Sequence, residues 1–97
     1  MIENIYSEGT IIGMKLISGE EIVGRVEIHE DMNSIVLSKI RVMVVHQQGV
    51  AFIPYIMSVD DHKELRINFD KVVVHSVVVP EVENGFIEAT SNIKIVK

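Results

Sequence analysis

From Lys71 to Val79 the chain reads KVVVHSVVV, and no other segment limits the fold as strongly. Six of those nine residues are valine, whose branched Cβ restricts χ1 and suits a pleated strand better than a helix. The valines fall on both faces of the strand. A strand that is apolar on both faces is covered on both faces or paired across an interface. A chain of 97 residues has room for one core and buries a modest fraction of its surface. The second cover is therefore expected from another copy of the chain, with a closely filled monomeric barrel as the alternative.

The same bias runs through the rest of the sequence, where 16 Val and 15 Ile stand against 3 Leu. With 47% hydrophobic residues the chain is too apolar to be disordered. Strands are expected over 11–17, 20–29, 34–46, 50–59 and 71–79, with a short extended or turning stretch over 65–70. In the second, Ile22, Gly24, Val26 and Ile28 alternate with Glu21, Val23, Arg25 and Glu27, the period of a half-buried strand. Gly24 in its middle points to a sharp bend or a close approach of another chain. Pro54 cannot donate to a ladder, which suits an edge or a bulge. Val82, Phe86, Ala89 and Ile93 follow helical spacing behind Pro80, a residue suited to the first turn of a helix. The expectation is an all-β domain with an arm at 1–10, a small barrel over 11–79, and a helix and extension over 80–97.

Charge and composition narrow the function classes. The net charge is −5, opposite to that of a protein with a broad basic face for nucleic acid. The absence of cysteine excludes disulfides and zinc-thiolate sites and suits a cytoplasmic protein. The start, Met1-Ile2-Glu3-Asn4, has no basic, apolar leader pattern, and no apolar run reaches the ~20 residues of a membrane span. No nucleophile elbow, phosphate-binding glycine loop or zinc-type spacing occurs, so neither an enzyme nor a cofactor is expected. Asp60, Asp61, His62 and Glu64 are of metal-ligand type. Being adjacent on one loop, they read as a solvated charged loop, and no metal site is expected.

The segment LISGEEIVGRVEIHEDMNSIVL, Leu16 to Leu37, resembles the first signature of the Sm and Sm-like (LSm, Hfq-related) family. Gly19 matches its turn glycine, Gly24 its strand glycine, Val26 the apolar position, Glu30 or Asp31 the acidic position and Asn33 the loop asparagine. The resemblance covers residues 11–59. The second signature, an Ile-Arg-Gly-like turn between the last two strands, is absent and replaced by Asp60 to Asp70 and Lys71-Val72-Val73-Val74-His75. More loosely, PEVENGFIEATSN is similar to the C-terminal stretches of Sm-like proteins of phages.

This resemblance implies a strongly bent five-stranded barrel with a short C-terminal helix. It also implies a homo-oligomeric ring of about five to seven copies, joined strand to strand. The seam would involve Phe52, Pro54 and Ile56 on one strand and Val73, His75 and Val77 on the other. Single-stranded RNA, rich in uridine or adenine, would be held at a pore loop by His29, Asp31 and Asn33. Two of these have a plainer alternative: Asn33 bonds its own loop backbone, and His29 is simply exposed. Arg25 and Lys39 are either phosphate contacts or solvated strand positions. Two functions stay open, an RNA-binding ring and a structural or protein-interaction ring without the RNA pocket.

Overall fold

Alternating β-branched residues build six strands in the computed structural model, which describes residues 6–28 and 33–91. These are β1 (Ile11–Leu16), β2 (Glu21–Ile28), β3 (Ser34–His46), β4 (Gly49–Pro54), β5 (Leu65–Asn68) and β6 (Val72–Val77). A 3-10 turn, Phe69–Lys71, joins β5 to β6, and one helix, α1 (Pro80–Thr90), follows. The fold is mostly β with a single short helix among the described residues. Six strands replace the expected five because the 65–70 stretch splits into β5 and the turn. The fourth strand stops at Pro54, earlier than expected, and Tyr55 N–H donates one more bond to the Ile40 carbonyl at 3.2 Å.

All pairings are antiparallel, in the order β4-β3-β2-β1-β6, and the sheet is not closed. The long β3 has two partners on one side. Its first half pairs with β5, Ser34 opposite Asn68 and Leu37 opposite Leu65, and its second half with β4, from Arg41 opposite Pro54 to His46 opposite Gly49. The changeover falls at Lys39, whose φ of 56° puts a non-glycine residue in the left-handed region. The register against β2 also slips between Val23 and Arg25 and between Val26 and Ile28. Such irregularities bend and twist a sheet locally.

Both faces of the sheet are covered in part. On one, Ile12, Met14, Leu16, Ile22, Val26, Ile35, Leu37 and Ile40 form the main core. On the other, α1 packs Phe86 against Ile11 and Val23, with Met43, Phe52, Val78 and Val82 around them. Phe86 is 1% exposed, and burying such a side chain contributes about 1.5–3 kcal/mol. Val82 is half-buried on the same helix face, whereas Ala89 is exposed and Ile93 lies outside the described residues.

Two glycines allow these approaches. A Cβ on Gly24 would stand 3.0 Å from Leu37 Cδ1 and 3.2 Å from Leu37 Cβ, so the main core itself occupies that space. A Cβ on Gly85 would meet Phe52 Cε2 at 3.0 Å, so the helix settles onto β4 over this position. The Asn84-Gly85 pair, unfavourable for helix propensity, is thus explained by packing.

Candidate functional site

The two ends of the sheet are open edges among the described residues. Strands β4 (GVAFIP) and β6 (VVVHSV) each have one hydrogen-bonded neighbour among the described residues, and neither carries Asp, Glu, Lys or Arg. A strand edge presents unpaired N–H and C=O groups, and soluble proteins usually guard such edges with charge. Here the flanking side chains are apolar: Val50 and Ile53 are each 47% exposed, Val74 57% and Val77 55%. Val45, opposite Val50 on β3, is also exposed. Beside β6 lies a cleft of about 400 Å³, lined by Val23, Met43, Val74, Val78 and Val82, with Lys15 and Glu21 among its polar residues.

The residues expected at a seam divide into two groups. Pro54, Ile56, Val73 and Val77 are exposed. Phe52 instead turns towards α1, its ring edge-on to Phe86 at 6.3 Å, and His75 turns towards the main core. The Tyr6 hydroxyl and His75 Nδ1 share a hydrogen bond at 2.6 Å, and the His75 ring lies 5.1 Å from that of Phe69. Burial pushes the Tyr6 phenol above its ordinary pKa. This bond ties the segment before β1 to the last strand, and no local pattern in the sequence announces it.

Of the residues expected at an RNA loop, His29 and Asp31 lie outside the described residues. Asn33 is exposed at the entrance to β3, and its carbonyl accepts the Phe69 N–H at 2.8 Å. That bond sets the entrance to β3 beside the Phe69–Lys71 turn. Close by, Arg66 Nη1 donates to Ser34 Oγ at 2.9 Å. The sequence offers no Ile-Arg-Gly-like turn to follow Asn33. In space, a turn ending in the exposed Lys71 stands next to it.

Other polar side chains tie loops to strands. Arg41, 8% exposed, makes a two-pronged bond to Asp61, Nη1 to Oδ1 at 2.6 Å and Nη2 to Oδ2 at 2.9 Å. The Arg41 guanidinium holds the Asp61 carboxyl below the ordinary carboxylate range, against a smaller upward push from burial. The charged loop is therefore clamped to β3, and Asp60 Oδ1 further accepts the His62 N–H. Arg25, considered for phosphate, is paired with Glu27 at 2.6 Å. Burial pushes the Glu27 carboxyl up, but hydrogen bonds from Ser38 and Arg25 outweigh it and bring its pKa below the ordinary value. Lys39 donates its backbone N–H to the Asp61 carbonyl at 3.2 Å.

Neither a protein-family model nor a curated protein matches this chain.

Proposed function

We propose that the chain is a non-catalytic, Sm-like subunit of a homo-oligomeric ring in which β4 of one copy pairs with β6 of the next. The observation that carries this reading is the pair of open, uncharged strands at opposite ends of one sheet, both flanked by exposed Val and Ile. Two different edges of the same chain make a head-to-tail contact, whose repetition closes into a ring when the rotation between copies closes. Closure covers both of these edges, whereas pairing β6 with β6 would leave β4 open. The bend of the open sheet supports the barrel part of this reading: β3 passes from β4 to β5 at Lys39, so its two halves have different partners. The resemblance over residues 11–59 adds to the same reading.

The mass in solution tests it. A single assembly several times the 10.9 kDa chain mass is expected, and a stable monomer at micromolar concentration would refute it.

A second reading, binding of single-stranded RNA, has one observation in its favour: Asn33 stands beside the turn that ends in Lys71, with Arg66 nearby. The net charge of −5 weighs against it and favours a structural or protein-interaction ring. Fluorescence polarisation with short uridine-rich and adenine-rich RNA separates the two. Binding at micromolar RNA that weakens with salt and with Asn33→Ala supports the RNA ring. No binding at low salt leaves the structural ring.

A further inference from the structure

The cleft beside α1 is walled by Val74 and Val78 of β6, by Val23 and Met43 from the middle of the sheet, and by Val79 and Val82 at the start of the helix. Val74 and Val79 are each 57% exposed, so water meets apolar surface there. The exposure continues along the helix. Successive helical residues advance by about 100°, so residues three and four apart share a flank. Gly85 turns toward Phe52 of β4, at one end of the sheet. Glu83 and Ile87 stand on the opposite flank, which looks toward β6, and Val79 leads into it. Both are exposed, Ile87 at 48%. An apolar track therefore runs from the last turn of α1 back to the cleft, with Glu83 beside it.

The sequence that follows the helix matches this track in length, pattern and charge. Residues 93–97 read IKIVK and lie outside the described residues. In an extended chain, Ile93 and Ile95 fall on one face and Lys94 on the other. Val82 precedes Thr90 by eight residues, about 12 Å of helix at ~1.5 Å per residue. Extended chain from Ser91 to Val96 spans about 17 Å. The segment is thus long enough to return to the cleft of its own chain. The path it would follow carries Glu83 on the helix and Glu21 at the cleft, with Lys15 directly opposite Glu21. Lys94 and Lys97 bring positive charge to a path with two acids and one base.

We propose that residues 93–97 fold back antiparallel to α1 and seat in the cleft of the same chain, with Ile93 against Ile87 and Ile95 between Val74 and Val82. The seat lies on the helix side of the sheet and leaves the backbone edge of β6 available. The proposal therefore holds for a single chain as well as for an assembled one, and its test does not depend on the ring.

The chain has no cysteine, so paired substitutions report contacts without background. Full-length V74C/I95C, mildly oxidised, is expected to close an internal disulfide, read as a faster-migrating single chain on a non-reducing denaturing gel. Full-length V50C/I95C puts the partner thiol on β4, at the other end of the sheet, and is expected to close about tenfold more slowly or not at all. Adding Ile93→Asp sets a carboxylate beside Glu83 and removes the contact with Ile87. It is expected to slow closure of V74C/I95C toward the rate of V50C/I95C and to leave that slower rate unchanged. Val50 and Val74 are about half exposed, so both substitutions spare the core, and circular dichroism of the reduced forms checks this. Equal rates for the two pairs would overturn the proposal, as would a V74C/I95C rate indifferent to Ile93→Asp. Linked dimers in place of the internally closed chain would overturn it too, because the cleft would then hold the segment of a second copy. Internal closure in a chain that stays monomeric would refute the ring and support the seat.

Discussion

Gly24 shows how much one residue decides here. Period-two alternation places it on the core side of β2, where a side chain is expected, yet Leu37 and Ile40 fill the space. Gly24→Ala should destabilise the chain by about 1–3 kcal/mol, as overpacking does. The cost should shrink on a Leu37→Ala background, because the nearest approach, 3.0 Å to Leu37 Cδ1, is removed while that to Cβ stays. Urea unfolding of the four variants checks this, and a cost that stays constant with Leu37 removed would sink it. Asp61 is a second decisive residue. Asp61→Asn leaves the nearly buried Arg41 guanidinium without its carboxylate, at a cost of about 1–3 kcal/mol at neutral pH. The folded carboxyl holds its proton less tightly than an ordinary Asp. Its stabilisation is therefore complete above the ordinary value of 3.8 and is lost as pH falls through the lower folded value. The gap in urea midpoint between wild type and Asp61→Asn should accordingly close in acid. A gap of constant size down to pH ~2 would mean that the Asp61 charge contributes nothing.

At the scale of elements, helix α1 depends on a position with low helix propensity. Replacing a helical glycine by alanine usually gains about 1 kcal/mol, but a Cβ on Gly85 would press on Phe52 at 3.0 Å. Gly85→Ala is expected to yield no gain alone and the full gain in a Phe52→Ala chain. Thermal unfolding of the double-mutant cycle reads the difference, and equal effects in both backgrounds would show that Phe52 is not the obstacle. The same element shows what the sequence disclosed and what it withheld. Pro80, Val82 and Phe86 announced the helix through local spacing, and alternation placed β1, β2 and β3 within a residue or two. Helical spacing put Phe86 on an apolar face without revealing that Phe52 lies beneath it, because that contact joins distant segments. Strand β5 stayed ambiguous for a related reason. Its four residues are too few to display a period, and Ile67 becomes a strand residue only by pairing with Ile35. The Tyr6–His75 and Arg41–Asp61 bonds join distant positions likewise. The apolar character of both faces of the valine strand was legible, because it is a property of the strand alone, whereas what covers those faces is not.

At the scale of the whole molecule, two terms with opposite salt dependence act on a ring of these chains. Each copy brings a net charge of −5, so assembly gathers like charge and works against itself at low salt. The proposed seam carries no Asp, Glu, Lys or Arg on either strand, so burial of Val and Ile supplies its strength. Salt screens the repulsion and leaves the apolar contact intact. Raising ionic strength from ~0.1 to ~1 M should therefore preserve or tighten the assembly, measured as mass by light scattering through a dilution series. A seam held by ion pairs would loosen over the same range. Val77→Asp should reverse the behaviour. Val77 is more than half exposed in the single chain, so the substitution spares the core while placing a carboxylate on the open β6 strand. Its dissociation should be almost complete at micromolar concentration, with the monomer retaining its strand signal in circular dichroism. RNA binding answers to salt in the other direction, since released counterions favour it only at low ionic strength. An assembly that tightens with salt and an RNA affinity that fades with it would place the two activities on different surfaces, the strand seam and the Asn33 corner. A mass that falls with salt, or a Val77→Asp chain that still assembles, would remove β6 from the interface.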